Sequence, residues 1–236
     1  MFTRSPDLYD ALYRFKDYEG ETRQLRELIR GHNPSAATLL DVACGTGNHL
    51  HFLRQHYRVE GLDRNEALLE GARRRCPDVT FHNGDMRSFS LPGRFDVVTC
   101  LFSAIGYLKD TEGLGQAIGT MARHLHDHGI LIIEPWFTPD QYWTNQLRVN
   151  IVDHAKYKGA WMYVPQRIGR TSVEDIYYLI GSSDGIDSFT ERHEVTLFTR
   201  EEMMSAFTAA GLDVRHDPVG LRGRGLYVGV QGSGTQ

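Results

Sequence analysis

The sequence predicts an α/β fold built on an open, mostly parallel sheet, and three observations carry that expectation. Short apolar runs alternate with helical patterns between residues 38 and 135, which is how strands and crossover helices read along a chain. The runs are near-continuously apolar, as in TLLDVA (38–43) and GILIIEP (129–135), and so fit strands covered on both faces. The first run ends in Asp41-x-x-x-Gly45-x-Gly47, glycines placed where such a sheet lets backbone approach a ligand.

The bulk numbers narrow the class. A chain of 236 residues suffices for one large domain with a small insertion. Net charge is −4, with 41% hydrophobic and 24% charged residues. No basic field therefore points to nucleic acid or an anionic membrane. No signal-peptide core and no apolar run near the ~20 residues of a membrane span is visible. Cys44, Cys76 and Cys100 lack CxxC spacing, as expected of reduced thiols in a cytoplasmic protein.

Each element follows in order. Leu8, Tyr9, Leu12, Tyr13 and Phe15, then Leu25, Leu28 and Ile29, have helical spacing in two pieces broken near FKDYEG. The turn at His32-Asn33-Pro34-Ser35 ends this N-terminal helical cap (1–33), because a residue before proline is pushed out of the α region. Strands are expected at TLLDVA, YRVEGLD (57–63), VTFHNGD (79–85), FDVVTCLF (95–102) and GILIIEP, with helices at HLHFLRQH, EALLEGARRR and GLGQAIGTMARHL. From 142 to 198 the texture changes: VNIVDHAKYK, AWMYVPQRI, VEDIYYLIGS and RHEVTLF read as an antiparallel β meander split by turns. It would serve as a lid or a subunit contact. Thr199-Arg-Glu-Glu202 is a capping box starting a helix that runs to Gly211. LDVRHDP (212–218) and GLYVGV (225–230) close the sheet, and the tail GSGTQ is expected to fray.

The glycine loop is not a dinucleotide fingerprint, since Leu50 replaces its third glycine, and no P-loop lysine follows. DVACGTG instead resembles the signature loop of class I S-adenosylmethionine (SAM) methyltransferases. With it come Asp63 at the end of the second strand, Asp85-Met86 after the third and Leu101 to Tyr107 after the fourth. The resemblance implies a Rossmann-like seven-stranded class I methyltransferase sheet. It also implies that Ala43, Gly45, Gly47, His49 and Leu101 bind SAM, with Asp63 on the ribose hydroxyls and Asp85 and Met86 on adenine.

LYD (8–10), KDY (16–18), SAATLLDVACGTGNHL (35–50), GDMRSFSL (84–91), VTCLFSAIGYL (98–108), EPWF (134–137), VTLFTREEMMSAFTAAGL (195–212) and GRGLYVG (223–229) extend the resemblance over nearly the whole chain. They are similar to the N,N-dimethyltransferases acting on dTDP-3-amino-3,6-dideoxyhexoses of macrolide pathways. That family implies two methyl transfers from SAM to an amine, releasing S-adenosyl-L-homocysteine each time. Tyr107 and Tyr18 become the catalytic candidates and Tyr9 a cofactor contact, with Tyr13, Ser103, Trp136 and Arg224 on the acceptor. Some relatives carry histidine where Tyr107 stands, so tyrosine here favours positioning over strict base catalysis. WFTP (136–139) replaces a more usual WWFP, and the arm before LYD is short. Both departures face the acceptor.

Two rival readings stand beside this one. One is a SAM-dependent N- or O-methyltransferase of another small molecule, such as an amino acid or natural-product intermediate. The other is a non-enzymatic SAM-binding module. HLHDH (124–128) reads as a solvated helix C-terminus rather than a metal site. The expected partners are a small-molecule substrate and a second copy of the chain, with no nucleic acid and no membrane.

Overall fold

The computed structural model describes residues 6–232, with side chains described from Leu8 onward. The expected frayed tail lies outside these residues apart from Gly232, as does the start of the N-terminal arm, residues 1–5.

Two helices lead the chain, α1 (Pro6–Leu12) and α2 (Tyr18–His32). The break falls at the aromatic, charged segment. Asp17 then restarts helix by accepting the Gly20 N–H at 2.9 Å. The sheet strands are β1 (Thr38–Val42), β2 (Arg58–Asp63), β3 (Thr80–Asn83), β4 (Phe95–Cys100) and β5 (Leu125–Ile133). α3 (Asn48–Leu53), α4 (Glu66–Arg75) and α5 (Thr111–Arg123) connect them, with no helix between β3 and β4. α6 (Arg200–Ala209), β11 (Leu212–Asp217) and β12 (Leu226–Gln231) complete the domain. The capping box is present: the Glu202 N–H donates to Thr199 Oγ1, and the Thr199 N–H to Glu202.

The seven strands run in the order β11-β12-β5-β4-β1-β2-β3. β1 to β5 are parallel, and β12 enters antiparallel to β5. Chain order reverses between β1 and β4, so the crevice beyond their carboxyl ends is the place for a ligand. One face packs against α5 and α6 through Leu114, Ile118, Met121, Met203 and Phe207. The other packs against α2 and α3 through Leu25, Ile29, Leu50 and Leu53. Each fully buried Leu or Ile there contributes roughly 1.5–3 kcal/mol, which holds both helical layers onto the sheet.

The meander is a second sheet of five strands, β6 (Arg148–Asp153), β7 (Lys158–Tyr163), β8 (Gln166–Ile168), β9 (Thr171–Ser182) and β10 (Gly185–Thr196). Its boundaries correct the sequence expectation. VNIVDHAKYK is not one strand: it turns at residues 154–157, where the His154 N–H donates to the Tyr157 carbonyl. RHEVTLF is only the far end of the longer β10. The inner face of this sheet packs on α1 through Val152, Ile176, Tyr178 and Ile180 against Leu8, Ala11 and Leu12.

HLHDH is corrected too. The helix stops at Arg123 and β5 starts at Leu125, with residues 126–129 bulging between two pairs to β4. His124 is buried rather than a solvated terminal cation. Its Nε2 accepts the Leu91 N–H at 3.0 Å, and its Nδ1 donates to the Thr120 carbonyl at 2.7 Å. That is the bonding pattern of a neutral ring.

Candidate active site

The carboxyl ends of β1 and β4 carry an unusual density of left-handed backbone. Ala43, Gly45 and Gly47 have φ of +60°, +56° and +73°, and Phe102 and Ser103 have +52° and +61°. A non-glycine residue in this region costs of order 1–3 kcal/mol and persists where surrounding structure enforces it. Glu134, fully buried just after β5, supplies one such constraint by accepting the Phe102 N–H at 2.7 Å. Ser103 supplies another by donating to the Pro135 carbonyl at 2.7 Å. These turns open a cavity of about 580 Å³, within the usual range for small-molecule sites.

The cavity is lined by Tyr9, Tyr13, Tyr18, Ala43, Gly45, His49, Asp63, Asp85, Met86, Leu101, Ser103, Tyr107, Trp136 and Arg224. Gly47 is absent from the wall. Its positive φ starts α3, and a Cβ there would meet the Cβ of Ala72 on α4 at 3.2 Å. Its glycine serves helix packing.

Three carboxylates mark one end. Asp63 accepts the Gly45 N–H at 2.9 Å on one oxygen and the Asn65 N–H at 2.8 Å on the other. The Arg64 N–H also bears on this carboxylate and burial raises its pKa; with about four acceptor sites in the ionised form, it keeps a lone pair for a hydroxyl. Asp85 is gripped by Arg87 through Nε at 3.1 Å and Nη2 at 2.8 Å. That guanidinium holds its carboxyl below the usual range, leaving a charged acceptor beside Met86. Asp41 lies deeper, takes the Thr99 hydroxyl at 2.7 Å, and is pushed up to about 6 by burial. This acidic, glycine-backed rim fits the ribose and adenine of SAM.

The N-terminal helices are tied down over it. Asp10 accepts from Thr46 at 2.6 Å, Asn48 at 3.1 Å and Arg75 at 2.6 Å, which pins α1 to the glycine loop. Glu21 pairs with Lys16 and lies 2.8 Å from His49 Nε2. Lys16 Nζ in turn sits 4.6 Å from the ring centres of Tyr18 and Phe102. His49 therefore belongs to a buried ion network as well as to the cavity wall. The tyrosines are closely spaced, with Tyr9 and Tyr13 centroids 4.9 Å apart and Tyr13 edge-on to Phe102 at 5.3 Å. Burial drives the hydroxyls of Tyr9, Tyr13, Tyr18 and Tyr107 well above their ordinary pKa. All four are neutral donors near pH 7.

Arg224 departs from the expectation of a cation standing free for phosphate. Its Nη2 donates to Glu134 at 2.7 Å, and its guanidinium lies 5.4 Å from the Trp136 ring centre. Arg222, about one-third exposed, also lines the cavity.

The second sheet contributes wall residues that the sequence reading did not single out: Trp161, Tyr163, Glu174, Ile176, His193 and Val195. His193 is buried, and its Nδ1 lies 2.8 Å from Tyr107 Oη. Burial pushes Glu174 up to about 7. The sequence signal for Glu174 is a charged residue on the face of β9 that also carries Ile176, Tyr178 and Ile180; β10, with Glu191 and His193 on one face, carries no such contrast.

Comparison with known proteins places this geometry. The methyltransferase domain model matches residues 39–129. The chain is 42% identical over 231 residues to the dTDP-3-amino-3,6-dideoxy-alpha-D-glucopyranose N,N-dimethyltransferase of Streptomyces fradiae, covering 96% of this chain and 91% of that protein. The crystal structure of Streptomyces venezuelae DesVI superposes with a TM-score of 0.93 at 38% identity, covering 98% of this chain and 100% of that one. SAM-bound CalS10, an amino pentose methyltransferase from Micromonospora echinaspora involved in calicheamicin biosynthesis, gives 0.88 at 36% identity, with 98% of each chain covered.

Proposed function

The chain belongs to the family of SAM-dependent sugar N,N-dimethyltransferases, and on that premise we propose that it dimethylates the amino group of a dTDP-linked amino-deoxysugar, foremost a 3-amino sugar. The observation that carries this reading is one continuous cavity with two chemically different ends. An acidic, glycine-backed rim forms one end; aromatic rings, arginines and the second sheet form the other.

Bound SAM supplies an electrophilic methyl group. The chain's residues hold, orient and dry the reactants. Asp63 accepts from a ribose hydroxyl, Asp85 from the adenine amine, and Met86 and Leu101 flank the ring. Ala43 and Gly45 bring backbone against the methionine end, Tyr9 closes over it, and His49 stands behind. Tyr107 and Tyr18 position the amine, while Tyr13, Ser103 and Trp136 shape the sugar pocket. Aligning a nucleophile in line with the methyl group, in a site closed to water, accounts for most of the rate, since well-oriented reactions gain about 7–11 kcal/mol.

For the diphosphate, Arg224 contributes its remaining donors alongside Arg222. Because Arg224 already neutralises Glu134, a second acceptor class stays in view: an amino acid or another natural-product intermediate without phosphate. We place the enzyme in the cytoplasm, where SAM and nucleotide sugars are made. Among the described residues no helix is long and apolar enough to cross a membrane. We also propose a homodimer through the outer face of the second sheet, which leaves Val149, Ile151, Met162, Tyr177, Leu179 and Ile186 exposed.

The deciding experiment pairs calorimetry with SAM and mass spectrometry of products from dTDP-3-amino and dTDP-4-amino sugars. A binding isotherm and a product carrying two added methyl groups are expected. Binding of SAM without methylation of any nucleotide sugar would move the acceptor to the second class.

A further inference from the structure

We propose that His193, carried in by the second sheet, is the proton acceptor of the reaction, taking the amine's proton through the hydroxyl of Tyr107. The inference rests on the reading that the acceptor is an amine held at Tyr107.

An amine must be neutral to attack a methyl group. It must lose a further proton before the second transfer, because each transfer leaves an N-methylammonium. Tyr107 cannot ionise to take that proton: burial holds its hydroxyl neutral. It can pass a proton on. Its Oη is 2.8 Å from His193 Nδ1, so the oxygen accepts from the ammonium N–H while its own proton moves to the imidazole. One N–H bond breaks on the substrate, one N–H bond forms on His193, and Tyr107 ends as it began. Nothing is oxidised or reduced, and the imidazolium then releases its proton to solvent.

Two acidic residues of the second sheet stand beside the ring. Glu191, two residues earlier on β10, places Oε2 3.7 Å from His193 Nε2. Glu174 is His193's direct partner across the β9–β10 ladder and faces the same cavity. Both side chains are buried; burial pushes Glu174 up to about 7, which leaves Glu191 as the carboxylate facing His193 Nε2. The remaining titratable groups on this side include Tyr178 of β9, Tyr163 of β7, Tyr142, Tyr9 of α1 and Tyr13 just after it, all neutral phenols near pH 7 because of burial. Lys109, two residues after Tyr107, is occupied by Glu194 on the other face of β10. Nucleophile holder, base and buried carboxylate thus form a chain from the cavity into the second sheet, the arrangement by which an orienting group supports a general base.

The test compares His193→Asn, whose amide can still hold the Tyr107 hydroxyl near the Nδ1 position but cannot titrate. A sugar amine with a pKa like that of an α-amino group, about 8, is roughly one-tenth neutral at pH 7. kcat of His193→Asn should therefore fall about ten-fold at pH 7 and return close to wild type at pH 9, with SAM binding by calorimetry unchanged. Glu191→Gln, which removes the negative charge beside the ring, should shift the acid limb of the same profile downward in pH. Equal kcat at all pH values, or an equal loss at pH 7 and pH 9, would overturn the relay. A second readout needs no turnover. In 15N-histidine NMR of the wild-type protein, the ring that responds to Tyr107→Phe should be the Nε2–H tautomer with Nδ1 accepting. An Nδ1–H ring there would overturn the proposal even in an active enzyme. If the wild type methylates no amine, the acceptor reading fails, and the tautomer alone decides whether the hydroxyl faces a base. If His193→Asn fails to fold, the tautomer and the Glu191→Gln profile decide.

Discussion

Arg224 and Glu134 meet at the seam between the two ends of the cavity. Glu134 is fully buried, and besides Arg224 its carboxylate takes the Phe102 N–H. Removing one partner from a buried pair strands the other charge and typically costs about 3–5 kcal/mol. Arg224→Ala should accordingly lower the unfolding free energy, read from urea titration, by a margin of that order. Arg224→Lys should recover most of the stability. It cannot reproduce the planar fork, so the KM for a nucleotide sugar should rise while calorimetric SAM affinity stays level. An unchanged acceptor KM in a folded Arg224→Lys protein would remove Arg224 from the acceptor site and leave it the structural task of neutralising Glu134.

At the scale of elements, the second sheet has two different faces. Inward residues pack on α1 or line the cavity, whereas outward positions align in apolar rows. Val149, Met162 and Tyr177 lie across neighbouring strands, as do Ile151, Ala160 and Leu179. Ile151 is 69% and Leu179 57% exposed, and a contiguous apolar face of this kind marks an interaction site. Pairing with a second copy would cover it. Light scattering behind size exclusion should report a dimer for the wild type and a monomer for the Ile151→Lys, Leu179→Lys double variant. A wild type that remains monomeric would defeat the homodimer and leave the sheet's work to its inner face.

The stability of the whole molecule carries the signature of its buried acids. Burial raises Glu174 to about 7 and Asp41 to about 6, from ordinary values of 4.5 and 3.8. Across the interval between each pair of values the folded chain binds more protons than the unfolded one. Stability of the ligand-free protein must then fall as pH rises. Glu174 alone should contribute a loss on the order of 2 kcal/mol between pH 5 and pH 8. Urea titrations at the two pH values should show that slope in the wild type and a shallower one in Glu174→Gln. An identical slope in both proteins would mean that Glu174 is not held protonated by its surroundings. Such a cost makes sense only for a site whose groups are kept for use rather than for stability.

The sequence by itself determined the parallel sheet, the glycine loop and the order of acidic residues along it. Those features depend on local rules: apolar periodicity, caps such as Thr199 and Glu202, and short motifs that meet a ligand at successive strand ends. It also marked Asp10 and Glu134 inside the LYD and EPWF motifs without disclosing what they bind. Tertiary structure alone decided the rest. Asp10 reaches Arg75, Glu134 reaches Arg224, and His193 meets Tyr107 across 86 residues of chain. His124 turned inward for the same reason, because its partners lie at Thr120 and Leu91. Periodicity reports which face a residue occupies. It carries no information on which distant strand will press against that face, and in this protein the pairing of charge, proton and ring is made there.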